Sequence, residues 1–436
     1  MSAGVITKDA LNTDLHQPLS SHESAVESDR CYFCYDAPCV NACPTGIDIP
    51  LFIRQISTGN AAGAARTIFD ENIFGGMCAR VCPTETLCEE ACVRNTAEEQ
   101  PVRIGLLQRY ATDYQMSAGS QPYTRAASTG KKVAVVGAGP AGISCAHRLA
   151  LYGHDVVVFD ARPKSGGLNE YGIAAYKTVD DFAQREIDYI LGIGGIRVEH
   201  GKVLGSDVTL PSLKDDYDAV FVGIGLSDVN DLGIEGESSE GVEDAIEFIA
   251  RLRQSNKNAE LSVGRRVVVI GGGMTAIDAA VQSRILGAED VLVAYRRGLE
   301  DMNASVFEQE LAQKNGVMIK PWWQPVRVIS SENNTATGVE FEYTSNKSGK
   351  LAGTGEKVTV AADHVLKAIG QRFNADPLSG AKLDVHNRRL VVDEQRRTSD
   401  AKIWAGGDCI ADGEDLTVSA VQDGKLAAES IHASFN

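Results

Sequence analysis

From residue 131 onward the chain alternates short, wholly apolar runs with longer stretches in which apolar residues recur at helical spacing. KKVAVVGAGPAGISCAHRLALYGHDVVVFDA reads as a buried strand, a glycine-rich turn, a helix and a second apolar strand, which together make a βαβ unit. RRVVVIGGGMTAIDAAVQSRILGAEDVLVAYRR repeats the pattern, beginning 134 residues later when counted from Gly137 to Gly271. The stretch before residue 120 is different. In IPLFIRQISTGNAAGAARTIFDEN the residues Leu51, Phe52, Ile56, Ala64, Ala65 and Ile68 fall in approximately helical register, so residues 1–120 read as a small helical domain. QPYTRAASTG, residues 121–130, has the composition of a linker. The expected architecture is α/β: an N-terminal α-helical domain followed by two Rossmann-like dinucleotide-binding domains, the second inserted in the first. The first would span 131–261 and close with 365–436; the second would span 262–364.

The two glycine loops carry the first chemistry. Gly137, Gly139 and Gly142 satisfy G-x-G-x-x-G, in which the first glycine makes the bend, the second admits a pyrophosphate and the third lets the helix pack closely. Asp160 ends the next strand, where a carboxylate accepts from a ribose hydroxyl. The second loop reads Gly271, Gly272, Gly273, with Ala276 at the third-glycine position, and its second strand ends in Tyr295, Arg296 and Arg297 without an acid. Two arginines there suit a 2′-phosphate, so the local pattern leans to NADPH over NADH. A solvated basic strand end is the plain alternative. Gly406-Gly407-Asp408, just before a helix-like C-terminal segment, points to the flavin in the first domain: in flavin reductases such a carboxylate bonds the ribityl chain.

Composition narrows the function classes. A formal net charge of −17 over 436 residues repels phosphate backbones and anionic membrane surfaces, so neither nucleic acid nor membrane is an expected partner. The first twenty residues hold no signal-peptide core, and no run approaches the roughly 18 to 20 apolar residues of a membrane span, so the expectation is a cytoplasmic protein. Of ten cysteines, eight fall between Cys31 and Cys92. In a reducing compartment such crowding points to a metal centre before disulfides. The spacing is C-x2-C-x4-C-x3-C-P for Cys31, Cys34, Cys39 and Cys43, then C-x3-C-P-x4-C-x3-C for Cys78, Cys82, Cys88 and Cys92. Zinc sites favour paired C-x2-C units, and only one is present; a C-x2-C start with a proline-followed fourth cysteine favours iron–sulfur over zinc or bare structural thiols. The eight histidines are scattered and suggest no metal site.

These residues resemble a known family: the electron-input module of dihydropyrimidine dehydrogenase, in particular the bacterial reductase subunit of that enzyme. The resemblance runs through RCYFCYDAPCVNACPTGIDIPLFIRQI, MCARVCPTETLCEEACVR, IGLLQRYATDY, GAGPAGISCAHRLA, GGLNEYGI and GGDCIADGEDLTVSAVQDGKLAA, nearly the whole chain. It implies two 4Fe-4S clusters, one on Cys31, Cys34, Cys39 and Cys92, the other on Cys43, Cys82, Cys88 and Gln108. Cys78 would be spare, although it could replace Gln108 as the fourth ligand. It also implies FAD on Gly137, Ala138, Gly139, Pro140, Ala141, Gly142, Asp160, Gly167, Leu168, Val203, Gly407, Asp408, Thr417 and Val418. NAD(P)H would lie on Gly271, Gly272, Gly273, Thr275, Ala276, Arg296, Arg297 and Gly370. Met274 stands where the family usually has Asp, and Asn303 where Pro is common; bacterial relatives commonly use NADH, against the two-arginine reading.

The implied activity is electron input: NAD(P)H reduces FAD, and two clusters pass single electrons to an FMN-containing partner subunit that reduces uracil or thymine. No side chain is assigned an acid or base role, and no stretch of about 250 residues remains for the pyrimidine-reducing barrel. The alternative is the similar small (beta) subunit of glutamate synthase, from which DAPC before Cys43 and ARVCPTETLC around Cys82 depart. A nucleotide-binding scaffold without turnover is the third possibility.

Overall fold

The computed structural model describes residues 14–255, 261–346 and 349–435. Residues 1–13, counted above with the cysteine-rich segment, lie outside the described residues. The chain divides into two compact units. The larger comprises His16–Glu170, Asp181–Asp228 and the chain from Arg372 onward. Its sheet is parallel, in the order Ile403–Ala405, Ala219–Val222, Lys132–Val136, Asp155–Asp160, Ile196–His200. Val133, Ala134, Val135, Ala219, Val220 and Phe221 are fully buried, as expected of central parallel strands covered on both faces.

The cysteine-rich part of this unit is helical. Ser20 and Glu23 form a capping box ahead of the helix Ser21–Ser28. Asp48 caps Ile49–Ser57 and Asn60 caps Ala61–Glu71. The apolar stretch 49–71 is therefore two helices, broken where Gly59 takes φ 78°, and Leu51 turns outward while Phe52, Ile53, Ile56, Ala64, Ala65 and Ile68 are buried. Gly75–Val81 and Ile104–Ser117 complete the layer.

The smaller unit comprises Tyr171–Asp180 and Val229–Gln371, with Asp14 and Leu15. Its parallel sheet runs Val242–Asp244, His364–Lys367, Arg266–Ile270, Asp290–Ala294, Met318–Lys320. An antiparallel sheet of Trp323–Ser330, Ala336–Ser345 and Ala352–Ala361 belongs to the same unit. The strand Val242–Asp244 thus joins the second glycine loop's sheet, and the helix Ala245–Gln254 that follows it lies in the same unit, both outside the 262–364 window. The segment Tyr171–Asp180 is pinned into this unit by a buried polar cluster. Lys177 Nζ lies 2.8 Å from Asp278 Oδ1 and 2.6 Å from Glu308 Oε1, and the Tyr176 hydroxyl donates to Asp278 Oδ1 at 2.9 Å. Burial opposes the Lys177 charge, yet Asp278 and Glu308 outweigh it and raise the pKa.

Candidate functional site

Each glycine of the first loop meets a different neighbour. Gly137 takes φ 103°, and a Cβ there would lie 2.2 Å from the Gly223 carbonyl oxygen. A Cβ on Gly142 would lie 1.9 Å from the Gly137 carbonyl oxygen. Gly139 faces open space, its nearest neighbour being Gly167 Cα at 3.9 Å. Bend, cradle and close packing are therefore divided among the three positions. Pro140 and Ala141 start the helix Pro140–Leu151, so backbone N–H groups and the helix dipole point into the open space beside Gly139. Asp160 Oδ2 accepts from Ala138 N at 2.6 Å and Oδ1 from Arg162 N at 2.7 Å, so this carboxylate also clamps the loop.

Further groups lie in the same unit. Gly167 takes φ 55°, and Leu168 is exposed at the start of the turn Leu168–Tyr171. Thr417 opens the 18-residue helix Thr417–Ser434, with Val418 buried behind it; its hydroxyl donates to Asn169 Oδ1 at 2.7 Å. Asn169 Nδ2 is buried without a hydrogen-bond partner among the described residues. Such an orphaned donor fits a ligand acceptor. Burial pushes the Asp408 carboxyl up to about 7, and Gly407, φ 77°, donates its N–H to Asp423 Oδ2 at 2.8 Å. Val203 is exposed. These donors and the Gly139 cradle fit a dinucleotide with a polar chain.

The second loop repeats the division. A Cβ on Gly271, φ 149°, would lie 2.1 Å from the Ala368 carbonyl oxygen, one on Gly272 would strike the Tyr295 ring at 2.4 Å, and Gly273 faces open space. Thr275 and the buried Ala276 lie in the first turn of Met274–Ile285. Arg296 and Arg297 are exposed, and neither guanidinium forms an ion pair among the described residues. Gly370 takes φ 89°, its carbonyl accepting from Asn230 Nδ2 at 3.0 Å.

The cysteines fall into two groups. Cys31, Cys34, Cys39 and Cys92 line one cavity, walled by apolar groups including Ile49 and Val102. Burial pushes the Cys39 thiol up to about 12 and raises that of Cys31, each with Cys92 as a neighbour. In the other group a hydrogen bond with Cys78, then burial, raises the Cys82 thiol, with Cys88 and Cys43 beside it; Cys88 is raised by burial, with Glu89 and Cys43 as neighbours. Thiols this reluctant to ionise alone are deprotonated outright by a coordinating metal. Among the described residues no three His, Cys, Asp or Glu side chains converge on a single-ion position, whereas four thiols around a shared cavity fit a larger multi-iron group. Gln108 is buried and donates from Nε2 to the Gly75 carbonyl at 2.7 Å, so its carboxamide oxygen is the only donor it could offer a metal.

Residues 131–424 match the family model described as pyridine nucleotide-disulphide oxidoreductase. The chain belongs to that family. It is an NAD(P)H-dependent oxidoreductase. Residues 8–120 match the model described as dihydropyrimidine dehydrogenase domain II, 4Fe-4S cluster. The NAD-dependent dihydropyrimidine dehydrogenase subunit PreT of Escherichia coli (strain K12) is 36% identical over 406 residues, 93% of each chain. The glutamate synthase [NADPH] small chain of the same organism is 35% identical, over 96% of this chain and 93% of that one. T. acidophilum thioredoxin reductase, 21% identical, covers 70% of this chain and 99% of its own with a TM-score of 0.56, and Mycobacterium tuberculosis FprA in complex with NADPH, 18% identical, covers 70% and 84% with 0.58. At those identities the likeness is one of fold. The resemblance read from the sequence therefore holds for this oxidoreductase.

Asn169 and Asp423 lie inside the quoted segments GGLNEYGI and GGDCIADGEDLTVSAVQDGKLAA but were given no role there. Asn169 directly follows the Gly167-Leu168 pair, the one signal that could have drawn attention to it. Among the described residues no helix is long and apolar enough to cross a membrane.

Proposed function

We propose that this chain is the electron-input subunit of a dihydropyrimidine dehydrogenase, carrying electrons from NAD(P)H by way of FAD and two 4Fe-4S clusters to an FMN-containing partner that reduces uracil or thymine. The observation that carries the reading is the pairing of two glycine cradles with two groups of cysteines in a chain 36% identical to a named subunit of that enzyme over 93% of its length.

Cys31, Cys34, Cys39 and Cys92 would hold one cluster, and Cys43, Cys82, Cys88 and Gln108 the other. The hydrogen bond between Cys78 and Cys82 favours a second set in which Cys78 replaces Gln108. FAD would lie beside Gly139 with its pyrophosphate on the helix start at Pro140, Asp160 serving the ribose and Asp408 the ribityl chain. Asn169 Nδ2 would donate to it. NAD(P)H would lie beside Gly273, with Arg296 and Arg297 able to pair a 2′-phosphate. When bound, a flavin converts a hydride into single electrons and each cluster carries one. The chain's part is to position these groups and keep water from them; no side chain needs to move a proton.

The test is direct. Purified chain is expected to hold about eight iron and eight sulfide atoms, to reduce a one-electron dye with NAD(P)H and to leave uracil untouched until a partner barrel subunit is added. Stoichiometric zinc without iron, or unaided uracil reduction, rejects the reading. Activation of a glutamate-forming partner alone supports the small-chain reading, which 35% identity over 96% of the chain keeps in view.

A further inference from the structure

The helix Thr417–Ser434 packs closely against Pro140–Leu151, the helix that leaves the first glycine loop. A Cβ on Gly424 would lie 2.1 Å from the Ala141 carbonyl oxygen. The next residue, Lys425, is 7% exposed and lines a cavity with Ser144, His147 and Arg148 of that neighbouring helix. Its Nζ donates to Glu71 Oε2 at 2.6 Å and to the backbone carbonyl of Thr45 at 3.3 Å. Thr45 is itself 3% exposed, and its hydroxyl lies 3.3 Å from Cys43 Sγ; toward a thiolate only the hydroxyl can donate. A continuous polar chain thus runs from the flavin-domain helix to the sulfur of Cys43.

The charges along this chain do not cancel evenly. The Lys425 ammonium is buried, with 9% of its side chain exposed, whereas the Glu71 side chain is 43% exposed. Water screens the carboxylate more than the ammonium, so the ammonium is the less shielded charge of the pair on the side of the Cys43–Thr45 loop. Arg148 lines the same cavity as Lys425 and Glu71, and His147, also there, is held neutral by burial. Asp70, which accepts from the Tyr123 hydroxyl, adds one more carboxylate on the open side.

We propose that Lys425 is a positioning residue for electron transfer, setting the potential of the cluster that Cys43 ligates and tying its loop to the flavin-domain helix. The proposal rests on the reading that Cys43 holds a cluster. One electron, supplied by NAD(P)H oxidation, adds one negative charge at that cluster, and no proton moves on Lys425. A fixed cation and a hydroxyl donor to the ligand sulfur both favour the reduced state, because reduction potentials of such clusters follow net charge and hydrogen bonds to sulfur.

The experiment is an anaerobic redox titration of holoenzyme followed by electron paramagnetic resonance. The relevant signal is the one that disappears in Cys43→Ala. Lys425→Met is expected to disfavour reduction of that cluster about tenfold, a downward shift of about 59 mV for one electron, with iron and FAD content unchanged and the other cluster unmoved. Thr45→Val should lower the same signal, and Lys425→Arg should restore it to within threefold. Unmoved midpoints in Lys425→Met with full iron overturn the proposal, as does an equal shift of both clusters. Should Lys425→Met lose iron, Lys425→Gln decides by the same criteria. Wild-type protein without iron rejects the cluster reading itself, a result distinct from a full complement of iron with unshifted potentials.

Discussion

His147 lies inside the helix Pro140–Leu151 with 4% of its surface exposed, and its Nε2 has no hydrogen-bond partner among the described residues. Burial, helped by Arg148, pushes its pKa from 6.5 down to about 3. Below pH 6.5 the unfolded chain takes up a proton that the folded chain refuses, so stability from this residue is complete above 6.5 and is lost as pH falls toward 3. Each pH unit in that window costs up to about 1.4 kcal/mol. Urea unfolding at pH 8, 6 and 5 should show the wild type weakening on acidification and His147→Leu weakening less. Parallel curves would mean that His147 does not titrate on unfolding as its burial requires. Arg296 and Arg297 belong to the same scale but act on ligand choice. Replacing either with Ala should raise the Michaelis constant for NADPH about tenfold more than for NADH, the worth of one charge-assisted bond to phosphate at about 1.5 kcal/mol. Equal effects on both nucleotides would place these arginines in solvent.

At the scale of elements, the glycine loops make opposite predictions for neighbouring positions. Gly142→Ala drives a Cβ to within 1.9 Å of the Gly137 carbonyl, between strand and helix, and should yield little soluble protein. Gly139→Ala, at a position with φ −76°, meets nothing closer than 3.9 Å and should fold, yet purify with less FAD because the methyl fills the cradle. Gly273→Ala, with open space and φ −97°, should fold and raise the Michaelis constant for the nicotinamide nucleotide. Normal flavin content in Gly139→Ala would remove the cradle argument. These loops were legible in the sequence because apolar runs, glycine spacing and helix pattern agree over some thirty residues. The three-residue strand Val242–Asp244 was not: it has one apolar residue and no alternation, and its place comes from parallel pairing with His364–Lys367, more than a hundred residues away in sequence. The outward turn of Leu51 was equally hidden, since it adjoins Phe52 in sequence and the apolar pattern alone does not say that the core stripe of Ile49–Ser57 is centred on Ile49, Phe52, Ile53 and Ile56. Lys177 lacks any local pattern, and Asn169 has only its place after Gly167 and Leu168. Their surroundings are assembled from distant segments, which spacing within one element cannot report.

For the whole molecule, the proposed division between electron entry and delivery predicts that the cysteine-rich helices are separable in function from hydride acceptance. Cys43→Ala is expected to abolish uracil reduction with an added partner subunit while direct flavin turnover with a hydride-type acceptor persists, measured side by side on one preparation. Loss of both activities in folded, FAD-replete protein would contradict that order. The smaller unit carries another consequence, for the exchange of parts between relatives. Residues 229–371 look like a cassette that could be swapped for the matching stretch of a homologue. The ten residues Tyr171–Asp180 break that expectation, because Lys177 is buried between Asp278 and Glu308 of the same unit. A chimaera that imports 229–371 alone strands an ammonium or a pair of carboxylates in the interior whenever the donor lacks the matching charges, at a cost of about 3 to 5 kcal/mol. Recombination within this lineage therefore has to move two separate stretches of gene together, and the short one carries no motif to announce it.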